Sequence, residues 1–119
     1  MTKIEPKYVM KTAEIDKVSI NRFFIYEEER RKIRLGKVKS IVAQFSNKDN
    51  KKQHFDAPLV VNEINNKQNI IDGNHRIEAI KEQILRDKQF KIKLWMAIYR
   101  DLTREQEREI YHKWNRGTP

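Results

Sequence analysis

The segment from Ile92 to Tyr99 constrains the fold most. Ile92, Leu94, Met96 and Ile98 alternate onto one face of a strand, and Trp95, Ala97 and Tyr99 onto the other. A strand that is apolar on both faces must lie between two packed layers. The pattern predicts a sheet covered on each side, with Trp95 and a second tryptophan, Trp114, in the core.

The remaining elements fit around that strand. Tyr8 to Ala13 reads as a short strand, followed by an apolar cluster at Ile15, Val18 and Ile20 and a turn at Asn21. Glu27 to Phe45 reads as a helix with acids in its first turn and an apolar stripe at Leu35, Val38, Ile41, Val42 and Phe45; Gly36 is its weak point. Ser46 to Asp56 is polar and aperiodic, a loop in which His54 is read as solvated. Ala57 to Val61 and Asn69 to Ile71 read as the two strands of a hairpin, with the turn at Asn65–Gln68. A helix follows Arg76 and turns Ile77, Ile80 and Ile84 to one face. Thr103 and Gln106 have capping-box spacing for a last helix that directs Ile110, Tyr111 and Trp114 inward, with Asn115 to Pro119 as its stop. The expected fold is α+β: one domain over residues 1–119, with a small mixed sheet covered by about three helices.

Charged residues make up 36% of the chain and hydrophobic ones 38%, with a formal net charge of +9. That excess of cations favours polyanions such as nucleic acid or nucleotides; a Lys- and Glu-rich surface of the heat-adapted kind is the competing explanation. With no cysteine, thiolate catalysis, disulfides and cysteine-held metals are excluded. No apolar run approaches the roughly 20 residues of a membrane span. The N-terminus, Met1-Thr2-Lys3-Ile4, lacks the apolar core of a signal peptide, so the expected location is cytoplasmic.

Reactive side chains concentrate at Asp72-Gly73-Asn74-His75-Arg76, between the second hairpin strand and the helix that follows. Gly73 permits a positive φ or a close backbone approach. The N–H groups of the next residues, free at a helix start, form an anion site with the helix dipole. Arg76 has the fork geometry to grip a phosphate, and His75 titrates near neutrality. Asp72 suits a metal-bound water or a hydroxyl, and equally a helix cap. The basic run Arg30, Arg31, Arg34 and Lys37 is a candidate track for a nucleic-acid backbone, or a solvated helix face.

Asp72-Gly73-Asn74-His75-Arg76-Ile77-Glu78-Ala79, after an apolar strand and before a helix, resembles the phosphate-binding motif of the ParB/sulfiredoxin-like superfamily. Ser19-Ile20-Asn21 is similar to an early I-x-x-N segment of ParB N-terminal domains, and Pro58-Leu59-Val60-Val61 to the strand before the motif. Asn115-Arg116 falls where those families carry a second Asn-containing motif. The resemblance implies a nucleoside triphosphate as ligand, of unspecified base, with a magnesium ion (Mg2+) as its companion. It further implies NTP hydrolysis or phosphodiester chemistry linked to DNA. In that scheme Asp72 and His75 are catalytic, and Gly73, Asn74, Arg76, Asn115 and Arg116 bind phosphate. Asn74 stands where sulfiredoxins carry their catalytic cysteine, which excludes their chemistry. Two alternatives stay open. One is a non-catalytic, basic DNA-binding module. The other is a small-molecule kinase of the free-serine type, for which Glu27, Glu28 and Glu29 are the nearest clustered acids.

Overall fold

A computed structural model describes residues 5–45 and 57–115. The polar segment Ser46 to Asp56, with His54, and the end from Arg116 to Pro119 lie outside the described residues. The chain forms β1 (Val9–Ile15), a 3-10 turn (Ser19–Arg22), β2 (Phe23–Phe24), a one-turn helix α1 (Glu27–Arg30), α2 (Leu35–Phe45), β3 (Leu59–Ile64), β4 (Lys67–Asp72), α3 (Asn74–Arg86), β5 (Ile92–Arg100) and α4 (Arg104–Asn115).

The five strands make one mixed sheet in the order β1-β5-β3-β4-β2. β1 runs antiparallel to β5, and β4 antiparallel to β3; β3 is parallel to β5, and β2 to β4. The β3–β4 hairpin turns on Asn65 and Asn66, with φ of 51° and 66°. Two consecutive positive φ values match the right-handed twist of the strands, and asparagine tolerates them better than most residues.

Alternation along the central strands feeds a core on each face. Leu59, Val61, Leu94, Met96 and Ile98 meet Ile77, Ile80 and Ile84 of α3. On the other face Val60, Ile71, Ala97 and Tyr99 meet Ile110 of α4. α2 forms an outer layer on α3 through Val38, Ile41, Val42 and Ala79. The fold is therefore α+β, with the sheet held between α3 and α4. At α4 the capping box is complete: the Thr103 N–H donates to Gln106 Oε1 at 2.9 Å, and the Gln106 N–H to Thr103 Oγ1 at 3.1 Å.

Three expectations change. The helix expected over Glu27–Phe45 breaks after Arg30, because Ile33 turns into the core and the Arg34 N–H is capped by His75 Nε2 at 3.1 Å. Leu35 is then 72% exposed, and the apolar stripe starts at Val38. Trp95 is 51% exposed; it stands opposite Thr12 of the edge strand β1, and the core under α4 takes Ala97 and Tyr99 but not Trp95. Tyr111 is also exposed rather than inward, whereas Trp114 packs against the α4 core and donates to Tyr99 Oη at 3.0 Å.

Candidate functional site

β4 ends at Asp72 and α3 begins at Asn74, so the reversal falls on Gly73 at φ 116°, ψ 19°. This position excludes a Cβ twice over. Its φ is one that side chains rarely adopt, and the added atom would overlap Leu59 Cδ2 in the core and press to 3.3 Å from Arg76 Nη2. Gly73 is the N-cap residue, and no side chain caps α3. Asp72 therefore does not cap it, and the N–H groups of the first turn have no intrahelical acceptor.

This end of α3 opens on a cleft of about 730 Å³ lined by residues 72–76. α2 contributes Lys37, Ser40, Ile41 and Gln44 to the wall, with Arg34 just before it. Glu29 and Lys32 come from α1 and the turn after it, and Tyr111 and Asn115 from α4. Lys32 pairs with Glu29 at 3.5 Å. Arg34 and Lys37 have no carboxylate partner among the described residues, so the wall facing the helix start carries uncompensated positive charge.

His75 and Arg76 are already engaged. His75 Nε2 accepts the Arg34 N–H, which puts the proton of the neutral ring on Nδ1. Burial, and then the charges of Lys37 and Arg34, hold the His75 pKa below its ordinary value. The Arg76 guanidinium, expected to face a phosphate, instead donates to the carbonyl of Ala57 and, at 3.0 Å, to that of Pro58. Burial lowers its pKa, and neighbouring Asp72 opposes that shift. Arg76 thus ties the start of β3 to the start of α3. Two buried acceptors of wall residues, Asn74 Oδ1 and Gln44 Oε1, have no hydrogen-bond partner among the described residues.

The structure brings Asp72, Gly73, Asn74, His75, Arg76, Arg34, Lys37 and Asn115 around one cleft. Asn115 also donates from Nδ2 to the Tyr111 carbonyl at 2.8 Å. Arg30 and Arg31 are exposed and outside the lining, and Arg116 lies beyond the described residues. Of the three clustered acids only Glu29 lines the cleft; Glu28 pairs with Arg104. Sequence reading missed Ser40 and Gln44. Their signal was the polar stripe Lys37-Ser40-Gln44, at helical spacing beside the apolar one.

It also missed a buried polar network that fixes α1 and α4 beside the cleft. Glu107, 3% exposed, accepts from Asn62 Nδ2 at 2.6 Å, Tyr26 Oη at 3.2 Å and Arg104 Nη1 at 2.9 Å. Asn62, fully buried, also exchanges two hydrogen bonds with the backbone of Leu102. The Arg104 guanidinium lies 3.6 Å above the Tyr26 ring, and Asn69 donates to the Tyr26 hydroxyl. Burial and the Glu107 carboxylate raise the Tyr26 pKa, which keeps the phenol a donor.

No known family profile matches the chain, and no curated protein does. Among solved structures, a Pnob8-like ParB-N domain is similar to it at 14% identity and a TM-score of 0.47. That match covers 94% of this chain and 39% of the other, so the chain spans well under half of that protein's length. No helix among the described residues is long and apolar enough to cross a membrane.

Proposed function

We propose that this domain binds a nucleotide, with its phosphates on the N–H groups of Asn74, His75 and Arg76 and its polar remainder in the cleft. One observation carries the reading: an uncapped helix N-terminus, behind a glycine that tolerates no Cβ, faces a cleft in which Arg34 and Lys37 have no carboxylate partner among the described residues. The resemblance of Asp72–Arg76 to the ParB/sulfiredoxin-like phosphate motif points the same way.

Hydrolysis of the nucleotide is the second reading, favoured by Asp72, Glu29 and neutral His75 in one wall. No cluster of three metal-ligating side chains occurs among the described residues. Magnesium needs only one or two carboxylates when a phosphate supplies further oxygens. Asp72, on the turn itself, is the residue that would hold the ion, which would neutralise phosphate charge. His75 Nδ1–H is left to donate to a phosphate oxygen or a water.

Calorimetric titration of ATP, CTP and GTP, with and without magnesium, tests the reading. The expected result is saturable binding by the wild type and at least a tenfold weakening in Lys37→Glu, equivalent to about 1.4 kcal/mol. Equal and negligible heat from both proteins would overturn it. Release of inorganic phosphate that is lost in Asp72→Asn would add catalysis to binding.

A further inference from the structure

A second chamber of about 270 Å³ adjoins the cleft and shares Glu29, Lys32, Ile71 and Tyr111 with it. Its other walls are Ile70 and the α4 residues Arg104, Glu107, Arg108 and His112. The two chambers therefore follow each other along α4, from Arg104 in the second to Asn115 in the first. At 1.5 Å per residue that path is about 16 Å, or about five nucleotides at the 3.4 Å rise of a stacked strand.

The charges along this path suit an anionic chain. Glu107 is consumed by Asn62, Tyr26 and Arg104, Glu29 by Lys32, and Asp72 lies beside Arg76. Arg34 and Lys37 in the first chamber and Arg108 in the second have no carboxylate partner among the described residues. Tyr111 stands in the wall common to both, exposed, its ring edge-on to His112 at 5.6 Å. An exposed aromatic between two cationic stations is the arrangement that stacks a base while its neighbouring phosphates are neutralised. A duplex hides its base faces and gains nothing from that ring.

We infer that the two chambers form one groove for single-stranded nucleic acid, with a terminal phosphate at the Gly73 turn, a base on Tyr111 and a further phosphate at Arg108. The inference rests on the phosphate reading of the Gly73 turn and extends it from a mononucleotide to a strand.

Fluorescence anisotropy with 5′-phosphorylated oligothymidylates and oligouridylates of increasing length, up to roughly ten residues, tests it. Affinity is expected to climb from the mononucleotide to about five residues and then level off. Arg108→Glu, at an exposed position outside the first chamber, should remove about tenfold of that gain and leave mononucleotide binding unchanged. Tyr111→Ala should weaken the oligomers by about tenfold. Mononucleotide binding with no gain from length would overturn the strand inference and leave the phosphate reading standing. Absence of mononucleotide and phosphate binding would remove both. A duplex of equal length that competes as well as the single strand would also overturn the inference.

Discussion

Replacing Gly73 with alanine tests the link between the turn and the core. At φ 116° a side chain costs about 1–2 kcal/mol of backbone strain. The new methyl also overlaps Leu59 Cδ2, and Leu59 is fully buried under α3, so it can yield only by moving the core. Overpacking of that kind costs about 1–3 kcal/mol, for a combined loss of about 2–5 kcal/mol. With a slope typical of a small domain, the urea midpoint should fall by roughly 1–2 M. Gly36→Ala is the matched control. Gly36 sits in α2 with nothing within 4 Å of an added Cβ, so alanine should stabilise the protein by about 0.5 kcal/mol. Urea unfolding followed by circular dichroism reads both. A Gly73→Ala protein within about 0.5 kcal/mol of wild type, at unchanged slope, would refute the geometry assigned to the turn.

The neutral state of His75 predicts a pH dependence of definite sign. Its folded pKa lies below the ordinary 6.5, so its contribution to stability is complete above 6.5 and is lost as pH falls through the folded value. Urea midpoints measured from about pH 8 to pH 5 should fall with acid in wild type and fall less in His75→Ala; equal slopes would contradict the contact with Arg34. Bound phosphate should raise the His75 pKa by offsetting Lys37 and Arg34, and an imidazole NMR titration reads that shift. Asn62→Ala removes one of three donors to Glu107 and leaves the buried Leu102 N–H and carbonyl without Asn62; it should cost about 3 kcal/mol, seen as a melting temperature lower by roughly 10 °C, and a shift of about 2 °C or less would contradict it. Arg76→Ala should destabilise by about 2 kcal/mol through the freed Ala57 and Pro58 carbonyls yet weaken phosphate binding less than Lys37→Glu, by calorimetry on protein shown to be folded. A larger binding loss in Arg76→Ala would return Arg76 to the ligand.

What was legible in the sequence was what periodicity and turn chemistry encode. The β3–β4 hairpin, the strand β5 and the Thr103–Gln106 cap are all local patterns; the turn expected over Asn65–Gln68 closes on Asn65 and Asn66 alone, with Lys67 and Gln68 already in β4. A weak point at Gly36 was legible, but the break after Arg30 was not, because it depends on the packing of Ile33 and on the contact of Arg34 with the His75 ring, 41 positions further along the chain. The exposure of Trp95 depends on how far α4 reaches across the sheet, which no strand pattern states. For the site, the Gly73 turn stood out because Gly and a helix start carry their geometry with them. Arg76 was harder. A guanidinium beside a phosphate motif reads as a ligand, and only the fold shows it held by the carbonyls that precede β3. Asn62 and Glu107 interrupt otherwise apolar positions; they bond each other across 45 positions, and Glu107 takes a further donor, Tyr26, from the other end of the chain.

The proposed anion site is the set of amides that open α3. Titration of phosphate and then of a nucleoside triphosphate into 15N-labelled protein observes those amides directly. Saturable shifts are expected, concentrated at Asn74, His75 and Arg76, with Arg34 responding through its bond to the His75 ring. Binding that shifts amides elsewhere and leaves those three in place would contradict it.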